Sequence, residues 1–260
     1  MSTRRTAIVT GSSSGIGLCV AGAPAAAGLH VMQNGIGPPA EVEPERARIA
    51  AGQGVESDDG DTHLITAEGV RALVAATEAA LGPPDVLVNN AGIQHVNPVE
   101  DVADAKWQAI LSLNLSAAVF AVKAVLPGMK ARGHGRIVNI ASAHGLVASP
   151  GKAAYVAAKH GIVGLTKTVA LETAEDGVTA NAICPGYVLT PLVEKQIPET
   201  AEARGMTEDA VRRDVLLAAQ PTREFVTVGQ VGALAAFLCT DAAASITGAA
   251  LPVDGGWTAQ

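Results

Sequence analysis

The sequence predicts an α/β fold, a doubly wound parallel sheet with helices on both faces, built as a single domain from 1 to 260. Three observations predict it. Short β-branched runs alternate with longer alanine-rich stretches along the 260 residues, the pattern that strand–crossover–strand units produce. A glycine-rich turn stands between the first of these runs and the first long stretch. No internal repeat and no low-complexity linker divides the chain, so one domain is expected.

In order, Thr6–Thr10 (TAIVT) reads as the first strand. The helix expected after it contains Gly22 and Pro24, and proline inside a helix removes a backbone donor at a cost of about 3 kcal/mol, so a kink is expected there. Leu29–Gln33 (LHVMQ) is the second strand. From Gly35 to Asp61 the chain is rich in Gly, Pro and acids, and neither a second helix nor a third strand can be located in it. Asp85–Asn89 (DVLVN), Arg136–Ile140 (RIVNI) and Thr179–Ile183 (TANAI) are the strands that follow. Between them, Ala103–Met129 and Ala153–Ala174 carry apolar residues at three- and four-residue spacing and are expected to be helices. A helix at Val228–Leu238 and a strand at Ala249–Val253 close the chain.

Composition narrows the function. Lys plus Arg number 18 against 25 Asp plus Glu, a formal charge of −7, and there is no run of five or six basic residues. Such a surface neither neutralises duplex phosphates nor docks on an anionic membrane. Aromatics are only 3%, too few for a base-stacking platform. A small-molecule partner is expected, with no nucleic acid, no membrane and no metal site. No stretch reaches 18 uncharged apolar residues, so no membrane span is expected. Cys19, Cys184 and Cys239 are an odd number and far apart, which fits a reducing, cytoplasmic setting. The five-residue apolar run near the N-terminus is too short for a signal-peptide core.

Two motifs carry chemistry. Thr10-Gly-Ser-Ser-Ser-Gly-Ile-Gly17 follows a strand and opens a helix. Glycines 11, 15 and 17 let the backbone turn tightly and approach a pyrophosphate at the positive end of that helix. At the end of the second strand stand Gln33, Asn34, Gly35 and Ile36, with neither the acid that binds the ribose hydroxyls of NAD nor the arginine that pairs with the phosphate of NADP. No Lys or Arg lies in the glycine turn either, so NAD is favoured by absence. The second motif follows Ser149-Pro150-Gly151, a helix-start signal: Lys152, Tyr155 and Lys159 at i, i+3 and i+7 share one helical face. Two ammonium groups flanking a phenol are expected to lower its pKa toward neutrality and to make the tyrosine a proton carrier at a carbonyl or alcohol oxygen.

Taken together, the glycine turn, Asn89-Asn90-Ala91-Gly92, Ser142, Tyr155-xxx-Lys159 and Pro185-Gly186 resemble the short-chain dehydrogenase/reductase family over essentially the whole chain. The resemblance implies a Rossmann-like fold and a catalytic set of Asn114, Ser142, Tyr155 and Lys159. It implies dinucleotide contacts from Gly11, Ser13, Gly15, Ile16, Gly17, Asn34, Asn90, Ala91, Gly92, Tyr155, Lys159, Pro185, Gly186, Val188 and Thr190. From Asp85 onward, stretches such as NNAGIQHVNPVED and NAICPGYVLTPLVEKQI look like bacterial members that interconvert D-3-hydroxybutyrate and acetoacetate, whereas 18–84 match only weakly. That likeness implies a small anionic 3-hydroxy acid as substrate. Gln94, His144, Lys152 and Gln196 are then expected at its carboxylate, Ser142 and Tyr155 at its hydroxyl, and a lid at about 187–220 over the site. It also implies that Lys159 lowers the Tyr155 pKa and binds the nicotinamide ribose, that Asn114 holds a water linking Lys159 to solvent, and that the enzyme is a homotetramer. Two positions depart from the pattern: Tyr187 stands where tryptophan is usual, which is expected to leave a smaller apolar pocket wall, and His63 stands where an aspartate commonly contacts adenine. Two rival readings are a reductase of 3-oxoacyl thioesters on the same fold and a catalytically silent dinucleotide-binding regulator.

Overall fold

A computed structural model describes residues 5–26, 28–35 and 64–259. Among them β1 (Thr6–Thr10), β2 (His30–Asn34), β3 (Pro84–Asn89), β4 (Gly135–Ile140), β5 (Val178–Pro185) and β6 (Ala250–Val253) form one sheet. Their order is β2-β1-β3-β4-β5-β6, with every neighbouring pair parallel. Every residue of β1, β4 and β5 is buried, which is why these strands read as continuous rather than alternating apolar runs.

The two faces carry separate cores. On one, Val9, Val31, Val88 and Val138 pack under α1 (Gly15–Ala26) and the last helix, Val228–Leu238. On the other, Ile8, Met32, Leu87 and Ile137 meet α2 (Ala67–Leu81), α4 (Ala117–Arg132) and α5 (Ala153–Glu172). The chain leaves β1 toward β2 on one side and rejoins the sheet at β3 on the other. The carboxyl ends of β1 and β3 therefore flank the crevice where such sheets bind ligands.

The helix expected through Gly22 and Pro24 is α1, which runs to Ala26 with Pro24 in its last turn and its carbonyl accepting from Leu29 N at 3.1 Å. Other expectations need correction. The expected single helix over 103–129 is three pieces: α3 (Asp104–Leu111), a π-helical turn at Ser112–Ser116, and α4. No helix was expected at 67–81, yet Thr66 Oγ1 accepts from Gly69 N at 3.1 Å and caps α2. The second helix and third strand sought in 35–61 lie, beyond Gly35, outside the described residues, as does His63.

After β5 the chain makes α6 (Pro191–Arg204) and a helical stretch at 208–216 before α7 (Val228–Leu238). Ile197, Ala201 and Val211 bury together with Met206, Val215 and Leu216 in a small core of their own, apart from the two sheet cores. The stems of this excursion are joined: Leu189 N donates to Val226 O at 3.0 Å and Val226 N to Tyr187 O at 2.9 Å.

Candidate active site

The glycine turn is held from three sides. Gly11 and Gly15 have φ of 63° and 55°, the left-handed region that favours glycine. A Cβ on Gly11 would lie 2.7 Å from Ala91 Cα, and one on Gly17 would overlap Gly11 O. Asn90 Nδ2 donates to Thr10 O at 3.0 Å and to Gly11 O at 2.8 Å, so the loop after β3 grips the turn. Ser12 N donates to Asn34 O at 2.8 Å and Asn34 N to Ser12 Oγ at 3.0 Å, which ties in the end of β2. The first turn of α1 has no acidic side chain, leaving its positive end free for an anion. Thr190 Cγ2 would stand 3.5 Å from a Cβ on Gly15. Ser13, Ile16, Gly92, Pro185, Gly186 and Val188 complete the segments at these strand ends. This backbone cradle, with no room for side chains at positions 11 and 17, fits a dinucleotide pyrophosphate.

Deeper in the crevice the expected catalytic side chains come together. Ser142 follows β4, and its Oγ accepts from His144 N at 3.1 Å to cap a short helical turn. Tyr155 on α5 stands close enough to Ser142 for the hydroxyl to pull the phenol's pKa down. One turn along, Lys159 is 5% exposed; its Nζ donates to Ile140 O at 2.7 Å and lies 5.6 Å from the Tyr155 ring centre. Asn114 sits in the π-helical turn, whose extra residue per turn aims its amide at the loop after β3. Nδ2 donates to Ile93 O and Oδ1 accepts from Ile93 N, each at 2.9 Å. A narrow cavity of about one water's size runs between Asn114, Lys159, Ile140 and Ala91.

Electrostatics differ from the expectation drawn from lysine spacing. Burial holds the Tyr155 phenol above its ordinary pKa, with the Ser142 hydroxyl pulling the other way. Burial also brings Lys159 down to about 8. Lys152 meets a different phenol. Its Nζ turns to Tyr187, 3.3 Å from the hydroxyl and 5.3 Å from the ring centre. Lys159 is the lysine that lies over the Tyr155 ring.

Lys152 is 9% exposed, and among the described residues no carboxylate lies within ion-pair distance of it. Next to it, His144 has Nε2 at 2.9 Å from Ser149 Oγ and Nδ1 at 3.5 Å from Ser142 Oγ. Burial, then the Lys152 charge, pulls its pKa to about 4, so the ring is neutral at pH 7. The Tyr187 hydroxyl, which the expected apolar wall did not take into account, accepts from the Lys152 ammonium. Gln94 in the loop after β3 and Gln196 on α6 are exposed and are not gathered with the other clamp residues. A residue that sequence reasoning missed stands among them: Trp257 stacks on Tyr187 (5.9 Å, 4°) and meets the His144 edge at 4.9 Å. Its only signal was a rare residue type, one of 2 tryptophans in the chain. Among the described residues no three His, Cys, Asp or Glu side chains gather to hold a metal ion.

Comparison with known proteins agrees with this geometry. The family model described as short chain dehydrogenase matches residues 5–201. The chain is 51% identical over 259 residues to a D-beta-hydroxybutyrate dehydrogenase of Rhizobium meliloti, covering 98% of this chain and 99% of that protein. It is 49% identical over 257 residues to one of Cupriavidus necator, covering 98% of each. Among solved structures, a variant of actinorhodin polyketide ketoreductase with NADPH superposes with a TM-score of 0.90 at 35% identity, covering 99% of this chain and 98% of that one.

Proposed function

The chain belongs to the short-chain dehydrogenase family, and from that premise we propose that it oxidises D-3-hydroxybutyrate to acetoacetate, reversibly, with NAD. The observation that carries the reading is Lys152. A buried ammonium near His144 and hydrogen-bonded to Tyr187, with no carboxylate within ion-pair distance among the described residues, is costly unless an anion meets it. A hydroxy acid whose C3 oxygen reaches Tyr155 supplies that anion. The two relatives named above, about half identical over nearly their whole length, support the same substrate.

Ser142 and Tyr155 hydrogen-bond the C3 oxygen, and Tyr155 removes the hydroxyl proton in oxidation and returns it in reduction. Lys159 favours the phenolate against the burial that opposes it, and is the residue to bind the nicotinamide ribose. With its pyrophosphate in the cradle of Gly11, Gly15 and Gly17, the dinucleotide would supply the hydride acceptor through its nicotinamide ring. Asn114 holds the loop after β3 and borders the small cavity behind Lys159, the route by which a water would connect that lysine to solvent. Neutral His144 donates or accepts a hydrogen bond at the carboxylate without adding charge. Closure of the 187–220 lid, which has its own core, brings Gln196 from its exposed position onto the substrate; Gln94 completes the set from the loop after β3.

Support for NAD over NADP comes from charge: no Lys or Arg occurs from Gly11 to Ala40 to neutralise a 2′-phosphate. Cys19, Cys184 and Cys239, none of them in a disulfide, support a reducing, cytoplasmic setting, and a homotetramer is the assembly proposed. The test follows NADH absorbance with D- and L-3-hydroxybutyrate, each with NAD and NADP, and the reverse reaction with acetoacetate against an acetoacetyl thioester. Oxidation of the D-acid with NAD, and poor use of the thioester, is the expected result. Faster reduction of the thioester would transfer the assignment to a 3-oxoacyl reductase.

A further inference from the structure

The stem by which the lid returns contains Gln220, which is fully buried at 0% exposure. A buried primary amide is tolerated when its donor and acceptor are satisfied, and here each end bonds to a different segment. Gln220 Oε1 accepts from the main-chain N–H of Tyr187 on the outgoing stem. Nε2 donates to Glu224 O at 2.7 Å on the returning stem.

The space around the amide is closed by glycines. A Cβ on Gly186 would strike Gln220 Oε1, and one on Gly255 would come within 3.4 Å of Gln220 Nε2. Gly255 belongs to the C-terminal turn, where Asp254 accepts from Gly256 N at 3.0 Å and Thr258 N at 2.9 Å. That turn presents Trp257 to the Tyr187 ring. The amide thus stands where both lid stems and the C-terminal turn meet.

We infer that Gln220 is a positioning residue for the substrate clamp. By fixing the Tyr187 main chain it sets how far the phenol reaches toward Lys152 and how its ring lies on Trp257. It does not touch the reacting oxygen, so it governs binding of the carboxylate end and leaves proton transfer to Tyr155. The kinetic part of this inference rests on the substrate reading proposed above. The placement of Tyr187 against Trp257 does not.

The test uses Gln220→Met, which keeps the volume and removes both hydrogen bonds, in a Trp107→Phe background that leaves Trp257 as the single tryptophan. The Trp257 emission is expected to shift to the red in the enzyme without substrate, as the stacked ring loosens. KM for D-3-hydroxybutyrate is expected to rise about tenfold, the scale of one buried hydrogen bond, with kcat nearly unchanged. In a Tyr187→Ala background the same substitution should leave KM unmoved, because Gln220 acts through that residue. Gln220→Glu keeps an oxygen acceptor for the Tyr187 N–H and should restore the emission in part; should Gln220→Met fail to fold, it is read against Gln220→Leu. An unshifted Trp257 emission, or a KM effect that persists undiminished in Tyr187→Ala, overturns the inference. A parent enzyme inert toward both hydroxybutyrate enantiomers would instead overturn the substrate reading, while the emission still decides the role of Gln220.

Discussion

Burial works against the chemistry that Tyr155 is proposed to perform, since the phenol is held above its ordinary pKa, and Lys159 is the lysine that lies over its ring. Tyr155→Phe deletes the proton carrier and leaves the ring that packs against His144. Turnover is expected to fall about a hundredfold or more, the usual scale for a general acid–base group, while NAD affinity by fluorescence titration stays within a small factor. Retained turnover would remove Tyr155 from the mechanism. His144 gives a second prediction, in stability. Its folded pKa is about 4, against about 6.5 in an unfolded chain. Between these values the unfolded state binds the extra proton, so stability is full above pH 6.5 and declines as pH falls toward 4, by on the order of 2–3 kcal/mol. Denaturant melts at pH 7 and pH 4.5 should show a smaller acid loss for His144→Gln than for the parent. Equal losses would place the acid sensitivity elsewhere.

Elements were legible where one principle dominated. The strands at 6–10 and 136–140 are buried on both faces, and the β-branched residues at their centres favour a strand. The interruption of 104–132 was not legible, because a single π-helical turn offsets the apolar spacing by one residue over one turn, too short a change to stand out from mixed three- and four-residue spacing; yet that turn aims Asn114. The pairing of Lys152 with Tyr187 was likewise hidden, since i, i+3 and i+7 put Lys152 and Tyr155 on one face but cannot say which way a long side chain leans at a helix start. Trp257 and Gln220 reach the site only through tertiary folding of the chain end and the lid stem. Pro24 falls in the last turn of α1, where little helix follows it. Gly22 in the same helix supports a third prediction. A Cβ there would meet nothing within 4 Å, so Gly22→Ala removes unfolded-state entropy at no steric cost and should stabilise by roughly 0.5–1 kcal/mol. For a chain of this size that raises Tm by about 1–4 °C, readable by calorimetry. A lower Tm would mean that another copy of the chain covers this face of α1.

For the molecule as a whole, the exposed apolar side chains of its helices bear on assembly. Counted through the π-helical turn, Asp104–Arg132 is 29 residues long and, among the described residues, the one helix long and apolar enough to cross a membrane. Its inner side packs on the sheet through Ala121, Val125 and Met129, while Val119 is 37% exposed and, on neighbouring α5, Leu171 is 81% exposed. On the opposite face of the sheet, Phe237 of α7 is 42% exposed. A single self-complementary patch closes a dimer; two patches on opposite faces, each used about its own two-fold axis, close a tetramer. Sedimentation equilibrium at micromolar concentration is therefore expected to give four chain masses for the parent. Val119→Glu combined with Leu171→Glu should stop the assembly at two, because a buried carboxylate without a partner is not tolerated in such an interface. Phe237→Glu should also stop it at two, by blocking the other axis. All three substitutions together should give monomers. A monomeric parent, or complete dissociation by either single-face variant, would exclude two independent interfaces; parent protein that sediments with added lipid vesicles would turn the apolar face of 104–132 toward a membrane instead.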